Sequence, residues 1–157
     1  MRFQFTKKHG LDPPFKQCKN MKRYHGTHNK YIEQICNKQI DPSKGRGELG
    51  QGFYVGNLAH QAYSWAWHRY KGGYCVIEFD IDDKQFLQLK VKWLNKSWAT
   101  RKWRELQRTN QEGTYTFGVD VVWSHLLGGN ISNMYQIKFE DTPDAKQFIN
   151  NTKSRVL

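Results

Sequence analysis

Residues 50–81 read GQGFYVGNLAHQAYSWAWHRYKGGYCVIEFDI and are predicted to form a strand, a helix and a second strand in succession. Its centre, from Leu58 to about Tyr70, is predicted to be a helix with Asn57 as its N-cap. The glycine pair Gly72-Gly73 ends this helix. Apolar runs on both sides of it complete a strand–helix–strand unit. The two strands of that unit are Phe53-Tyr54-Val55 and Tyr74 to Ile81.

Strand and helix signals follow one another without regular alternation in the rest of the chain. This order argues for one α+β domain over residues 1–157 and against a doubly wound sheet. Residues 1–20 are interpreted as an irregular basic lead-in, because Pro13-Pro14 forbids a helix there. A glycine-rich loop runs from Asp41 to Gly52. Further strands are predicted at Met21 to Thr27, Val119 to Trp123 and Met134 to Phe139, helices at Asn29 to Ile40, Phe86 to Arg108 and Pro143 to about Asn151, and turns at Gln111 to Gly113 and Gly128 to Asn130.

Composition and charge restrict the class of protein. The chain is 38% apolar and 15% aromatic, which is enough for a real core. Its 25 Lys and Arg residues against 14 Asp and Glu residues give a net charge of +11, which favours a polyanionic partner, usually nucleic acid. No apolar run approaches the roughly 18 residues of a membrane span, so we expect a cytoplasmic protein or one delivered into a cytoplasm, with no membrane partner. The three cysteines form no CxxC pair, and no metal site is expected.

Three short segments at distant points of the chain carry candidate chemistry. Tyr24-His25-Gly26-Thr27 offers an imidazole followed by a glycine, whose backbone donor and acceptor can bind a primary carboxamide. In Gly50-Gln51-Gly52-Phe53-Tyr54-Val55 an aromatic ring follows a glycine loop, and a flat pyridinium ring can stack on it. Met134 to Phe139 sets Gln136 on a strand.

These segments resemble the motifs of the ADP-ribosyltransferase superfamily, in the branch with a His-Tyr-Glu triad that includes diphtheria toxin and the poly-ADP-ribose polymerases. "HGT" at residues 25–27 looks like the first motif, "GQGFYV" resembles the polymerases' "GKGIYF", and Trp65 matches a second aromatic eleven residues after the triad tyrosine. The order "GxGFY", "QAxxWA" and a final motif like "QICF" is closer still to small uncharacterised bacterial relatives. About 20 positions between Arg23 and Phe139 carry the resemblance.

The resemblance implies a fold of two small, mostly antiparallel sheets, flanked by helices, that face each other around an NAD⁺ cleft. It implies NAD⁺ as co-substrate and no metal. His25 is expected to hold the adenosine-side ribose, Gly26 the nicotinamide carboxamide, and Tyr54 with Trp65 the nicotinamide ring. Thr27 and Gly52 belong to the same expected binding site.

Gln136 stands at the third triad position, where the family has glutamate. A glutamine can hydrogen-bond the nicotinamide ribose but cannot accept a proton, so mono-ADP-ribosylation is favoured over polymer formation. Whether another carboxylate acts as the base stays open at this point, and nicotinamide departure needs mainly positioning and charge stabilisation. The candidates are Glu48, Glu112, Asp120 and Glu140.

The Trp- and Arg-rich stretch from Trp93 to Arg108 is predicted to recognise the target, because interleaved Trp and Arg can stack on bases and neutralise phosphates. The alternative interpretation is a solvated amphipathic helix whose tryptophans fill the core.

We expect a toxin or defence effector that modifies RNA or another nucleic acid, with a neutralising antitoxin or immunity protein as a further partner. A protein acceptor, NAD⁺ glycohydrolase activity and a non-enzymatic nucleic-acid-binding module remain alternatives. The expected substrate-binding residues are Trp98, Arg101, Lys102 and Arg104.

Overall fold

A computed structural model describes residues 20–127 and 134–157 and confirms the α+β class. Seven strands form one mixed sheet in the order β6-β7-β8-β4-β1-β5-β9, and two short strands, β2 and β3, form a separate ribbon. The strands are β1 (Asn20–His28), β2 (Arg46–Gly47), β3 (Gly50–Gln51), β4 (Phe53–Gly56), β5 (Tyr74–Asp82), β6 (Val91–Leu94), β7 (Val121–His125), β8 (Tyr135–Phe139) and β9 (Lys153–Val156). The helices are α1 (Ile32–Cys36), α2 (Ala59–Tyr70), α3 (Asp83–Phe86), α4 (Lys96–Thr109) and α5 (Pro143–Asn151).

The main core lies between one face of the sheet and helices α1, α3 and α5. Apolar residues at every second position of the central strands point to this face, because side chains alternate along a strand. Phe86 of α3 lies edge-on to Trp123 of β7, and Ile149 of α5 is almost fully buried. The sheet residues of this core include Met21, Phe53, Val55, Ile77, Phe79, Ile81, Val121, Trp123, Ile137 and Phe139.

The opposite face of the sheet carries α2, the β2-β3 ribbon and α4. Gly26 of β1 lies so close to α2 that a Cβ added there would be 2.3 Å from the backbone oxygen of Ala62. Ala99 of α4 packs with Val122 of β7 and with Leu49 of the ribbon in a second small core. Helix α2 therefore covers β1 and β5, α4 covers β6 and β7, and the ribbon lies by β4 between them.

A seam divides the sheet between β1 and β4. In the described part of the chain these strands share one residue pair, Tyr24 with Gly56, whereas β1 and β5 are paired from Asn20–Asp82 to His28–Tyr74. The expected two facing sheets are therefore observed as one continuous sheet with a weak junction. Its pairs are antiparallel except for β6 with β7. None of the described helices has the length and apolar character to cross a membrane.

Several predicted elements are confirmed. The strands at 21–27, 53–55, 74–81 and 134–139 and the helix at 58–70 are present with small changes at their ends. The last helix begins as predicted, because the Thr142 hydroxyl accepts a hydrogen bond from the Ala145 N–H. The lead-in predicted at residues 1–20 lies outside the described residues except for Asn20, which begins β1, and the turn predicted at Gly128 to Asn130 lies outside them as well.

The helix predicted from Phe86 to Arg108 is wrong in its first half. Val91–Leu94 pairs in parallel with β7, so strand pairing overrides helical propensity there. The Asn95 side chain then accepts from the Trp98 N–H and begins α4. The predicted strand at Val119 begins two residues later, because the Val119 N–H binds the Glu140 carboxylate.

One cap, the length of one helix and one additional strand also differ from the sequence prediction. The Asn57 side chain accepts from the Tyr135 N–H, and Leu58 takes the N-cap position of α2 without a side-chain bond. The predicted helix at 29–40 is only α1 preceded by a short 3₁₀ turn, and the left-handed Lys38 follows its end. Strand β9 has no counterpart in the sequence prediction, since its sequence KSRV has one apolar residue.

Candidate active site

His25 lies at the seam between β1 and β4. Its ring packs on Phe53 with the ring centroids 4.3 Å apart, and its Nδ1 lies 2.7 Å from the backbone oxygen of Tyr54. Because a carbonyl oxygen only accepts, this contact assigns the ring hydrogen to Nδ1 and leaves Nε2 as an acceptor. Burial lowers the pKa of His25 to about 4, so the imidazole is neutral at pH 7.

The next two residues of the first motif, Gly26 and Thr27, are both buried. Gly26 is required by the close approach of α2, since any side chain would collide with the Ala62 backbone. Thr27 is 4% exposed. Packing alone therefore explains a small residue at position 26, and a ligand-binding role for its backbone remains a prediction.

Tyr54 lies under the β2-β3 ribbon. Its hydroxyl donates to the backbone oxygen of Gly50 at 2.7 Å and accepts from the Leu49 N–H at 3.2 Å. A Cβ added to Gly47 would be 2.8 Å from the ring, so the ribbon lies directly against it. Burial raises the pKa of the phenol well above its ordinary value of 10.0. In this conformation the ribbon already occupies the hydroxyl and part of the ring.

Gln136 is 5% exposed and is held by two acceptors. Its Nε2 donates to Oε2 of Glu48 at 2.9 Å and to the backbone oxygen of His125 at 3.3 Å. The same Glu48 oxygen accepts from the Leu127 N–H at 2.9 Å. The partly exposed Glu48 carboxylate, on the turn of the ribbon, therefore lies directly beside the third motif.

The three motif strands are neighbours in the sheet. Gly56 of β4 pairs with Tyr24 of β1 on one side and with Gln136 of β8 on the other, so all three motifs lie within two strand spacings, or about 10 Å. The side chains do not share one face. His25 lies on the side of Phe53 and Ile77, whereas Tyr54 and Gln136 lie on the side of the ribbon.

Trp65 is not a core residue. Helix α2 buries Ala62 and Ala66 instead, and Trp65 is 50% exposed. Its ring lies edge-on to Tyr70, and the guanidinium of Arg69 lies 5.4 Å from its centroid. The structure brings Trp65 to the surface of the helix that covers Gly26, and among the described residues its ring is paired with Tyr70 and Arg69 and not with Tyr54.

Two of the four candidate carboxylates, Asp120 and Glu140, accept hydrogen bonds from backbone N–H groups of other segments. Asp120 accepts from the Lys90 N–H and the Thr142 hydroxyl. Glu140 accepts from three successive N–H groups, those of residues 117–119, and pairs with the buried Lys138 at 2.7 Å. Only Glu48 and Glu112 are partly exposed.

Helix α4 presents a basic face to solvent. Trp98 is 53% exposed, and the Arg101 guanidinium lies 5.5 Å from its ring centroid. Arg101 and Arg104 line an open surface depression along the helix. Lys102 is less available, because it pairs with Glu105 at 2.9 Å and lies over the Tyr115 ring. The tryptophans thus divide between surface and core, since Trp93 packs against the core and Trp98 does not.

Neither Glu48 nor Lys138 could be singled out from local sequence. Glu48 lies in GRGELGQG, where a charged residue between glycines indicates only a solvated turn. Its partner Gln136 is 88 residues away in the chain. Lys138 alternates with apolar residues in YQIKF, a pattern that predicts a solvent-facing lysine, yet its side chain is fully buried.

No known family model and no curated protein sequence matches this chain. Within residues 20–127 and 134–157, no group of three or more His, Cys, Asp or Glu side chains is arranged to hold a metal ion. The function of the chain is therefore inferred from the geometry of the site and from the resemblance of its motifs.

Proposed function

We propose that this chain is an NAD⁺-dependent mono-ADP-ribosyltransferase. One observation carries the proposal: the three motif segments, separated by up to 111 residues in sequence, lie on the adjacent strands β1, β4 and β8. The imidazole of His25 bonds to the backbone of the tyrosine motif, and the amide of Gln136 bonds to the ribbon that covers the same tyrosine. Adjacent strands bring the three backbone segments within the span of one dinucleotide, with the His25 side chain on the opposite face of the sheet from Tyr54 and Gln136.

The state of His25 suits a ribose ligand. A neutral imidazole with hydrogen on Nδ1 offers Nε2 as an acceptor for a ribose hydroxyl, and its low pKa keeps that acceptor available at neutral pH. The Gly26 backbone is proposed to bind the nicotinamide carboxamide, and Tyr54 with the exposed Trp65 to border the nicotinamide ring. Gln136 is proposed to act on the nicotinamide ribose.

The acceptor is proposed to be RNA or another nucleic acid. The net charge of +11 favours a polyanion, and α4 carries an exposed tryptophan beside an arginine. Such a pair can stack on a base and contact a phosphate at the same time. Trp98, Arg101 and Arg104 are therefore the proposed acceptor-binding residues, with Lys102 at the edge of this face.

The proposal is tested by incubation of the full chain with NAD⁺ labelled in the adenosine part and with separate pools of RNA, DNA and protein. Label on RNA or DNA is the expected result, and label on protein alone would correct the acceptor class. The His25→Ala variant should lose labelling while its circular dichroism spectrum stays unchanged. Intact NAD⁺ in all three pools would remove the transferase proposal.

A second candidate function is supported by the α4 face alone. A nucleic-acid-binding module without enzymatic activity would bind RNA with a steep salt dependence and leave NAD⁺ intact. Exchange of both Arg101 and Arg104 for Gln should lower the slope of log K against log salt by about two, one for each phosphate that the variant no longer neutralises. The variant Lys84→Gln, at an exposed residue of α3, serves as the control.

A further inference from the structure

The pair formed by Glu48 and Gln136 carries an inference about where the negative charge of the site lies. Gln136 is almost completely buried, and its amide nitrogen is bonded to the Glu48 carboxylate at 2.9 Å. Glu48 is the more exposed of the two. Of the two residues, Glu48 is therefore the one that a ligand can reach from solvent.

We infer that Glu48 supplies the fixed negative charge of the NAD⁺ site and that Gln136 is the residue that positions it. The inference rests on the proposed function. Two groups hold the same carboxylate oxygen, the Gln136 amide and the Leu127 N–H, so the orientation of the carboxylate is fixed from both sides. A charge that is oriented before the reaction stabilises a developing charge without reorganisation.

The reaction needs an anion at this place. When the bond between the ribose C1′ and the pyridinium nitrogen breaks, the electron pair leaves with nicotinamide, which becomes neutral. The positive charge then lies on the ribose, and a neutral glutamine cannot compensate it. The acceptor's nucleophile forms the new bond to C1′ and releases its proton to water. Glu48 contributes its negative charge while the ribose is cationic.

Two of the other candidate carboxylates, Glu140 and Asp120, are less suitable. Glu140 is 1% exposed and is neutralised by Lys138, and Asp120 is bonded to the Lys90 N–H and the Thr142 hydroxyl. The ribbon also links Glu48 to the tyrosine motif, because the next two residues, Leu49 and Gly50, bind the Tyr54 hydroxyl. A shift of the ribbon therefore changes the carboxylate and the tyrosine together.

The test is nicotinamide release from NAD⁺ by the full chain, with each variant's melting temperature measured in parallel. Glu48→Gln keeps an oxygen that can accept both hydrogen bonds, so the melting temperature should stay close to that of the wild type. Release should fall by roughly 100- to 1,000-fold, the typical effect of removing one preorganised electrostatic group. Glu33→Gln, an exchange at an exposed residue of α1, should release nicotinamide like the wild type.

A charge swap separates an electrostatic role from a structural one. The double variant Glu48→Gln/Gln136→Glu returns the charge to a position about 3 Å away and should recover at least tenfold over Glu48→Gln alone. Unchanged release by Glu48→Gln would overturn the inference and leave the transferase proposal standing. Release that only follows a lower melting temperature, with both regained in the double variant, would overturn it in favour of a structural role. Intact NAD⁺ with the wild type in every acceptor pool would remove both proposals.

Discussion

The hydroxyl of Tyr54 lies 2.7 Å from the backbone oxygen of Gly50, and this bond ties the β2-β3 ribbon to the strand beneath it. The same hydroxyl accepts from the N–H of the fully buried Leu49. One side chain thus satisfies two backbone groups at a turn that also carries Glu48. The ribbon, whose strands are two residues long, is also held by the bond from Lys138 to the Leu49 oxygen and by the bonds of Glu48, so Tyr54 is one of several anchors.

Tyr54→Phe should therefore destabilise the protein and loosen the ribbon. The exchange keeps the ring but leaves the Leu49 N–H and the Gly50 oxygen without their partner, which costs about 1–3 kcal/mol of unfolding free energy. Urea denaturation followed by tryptophan fluorescence measures the change. Tyr31→Phe is the control, since Tyr31 is 40% exposed and its loss should cost almost nothing. Equal stability of the two variants would mean that the hydroxyl bonds do not hold the ribbon.

His25 should make the stability of the fold depend on pH in the mildly acid range. Its pKa is lowered by burial from the ordinary value of 6.5 to about 4, so between these values the unfolded chain takes up a proton that the folded chain refuses. The contribution of His25 to the free energy of unfolding is therefore largest above pH 6.5 and decreases as the pH falls towards 4. From pH 7.5 to pH 5 this residue alone should remove about 2 kcal/mol.

The measurement compares wild type with His25→Gln by urea denaturation at both pH values. Glutamine can still donate to the Tyr54 oxygen but does not titrate, so the acid loss of stability should be about 2 kcal/mol smaller in the variant. Carboxylates such as Glu78, whose pKa is lowered by Lys22 and Arg155, contribute equally to both proteins and cancel in the comparison. Identical pH profiles would mean that the His25 ring is not buried as described.

The sequence predicts the elements whose signals are local. The apolar run of β5, the Thr142 cap of α5 and the glycines around β4 each carry their information within a few residues. Strand β6 has no such local signal, because its four residues lie between two helical segments and become a strand only by pairing with β7. Strand β9 likewise acquires its structure from the neighbouring β5.

The candidate site follows the same division. His25, Tyr54 and Gln136 stand out by motif, and each lies on a strand as expected. The bond between Gln136 and Glu48 could not be predicted, because it depends on contacts across the sheet. The sequence does not show which of the four candidate carboxylates lies beside Gln136: Glu48, Glu112, Asp120 or Glu140. The opposite facing of His25 and Tyr54 also required the register of β1 and β4.

The buried ion pair of Lys138 and Glu140 should be among the most sensitive points of the fold. Lys138 is fully buried, donates to Glu140 at 2.7 Å and to the Leu49 oxygen at 2.9 Å, and its pKa is lowered by burial. Lys138→Met leaves a buried carboxylate without its cation and should cost about 3–5 kcal/mol. The double variant Lys138→Met/Glu140→Gln should be more stable than the single one, because no unpaired charge remains.

Chemical denaturation of these variants is compared with that of Lys146→Met. Lys146 pairs with Asp141 at 3.0 Å, but its side chain is 44% exposed, and such surface pairs contribute about 0–1 kcal/mol. A loss below about 1 kcal/mol for Lys138→Met would show that Glu140 becomes protonated or solvated at little cost. In that case the ion pair would not be needed to hold residues 117–119, whose N–H groups bind Glu140.

Gly26 and Gly56 provide a matched pair for the contact between α2 and the sheet. A Cβ at Gly26 would lie 2.3 Å from the Ala62 oxygen and 3.0 Å from the Ala66 Cβ, whereas the nearest atoms around a Cβ at Gly56 are 3.8 Å and 4.0 Å away. Because helix backbone cannot yield like a flexible side chain, Gly26→Ala should cost about 1–3 kcal/mol, the usual range for overpacking. Gly56→Ala should change stability by less than about 0.5 kcal/mol. The melting temperatures of both variants are compared by thermal unfolding. A Gly26→Ala protein as stable as Gly56→Ala would show that α2 lies further from β1 and that the glycine of the first motif is not required for packing.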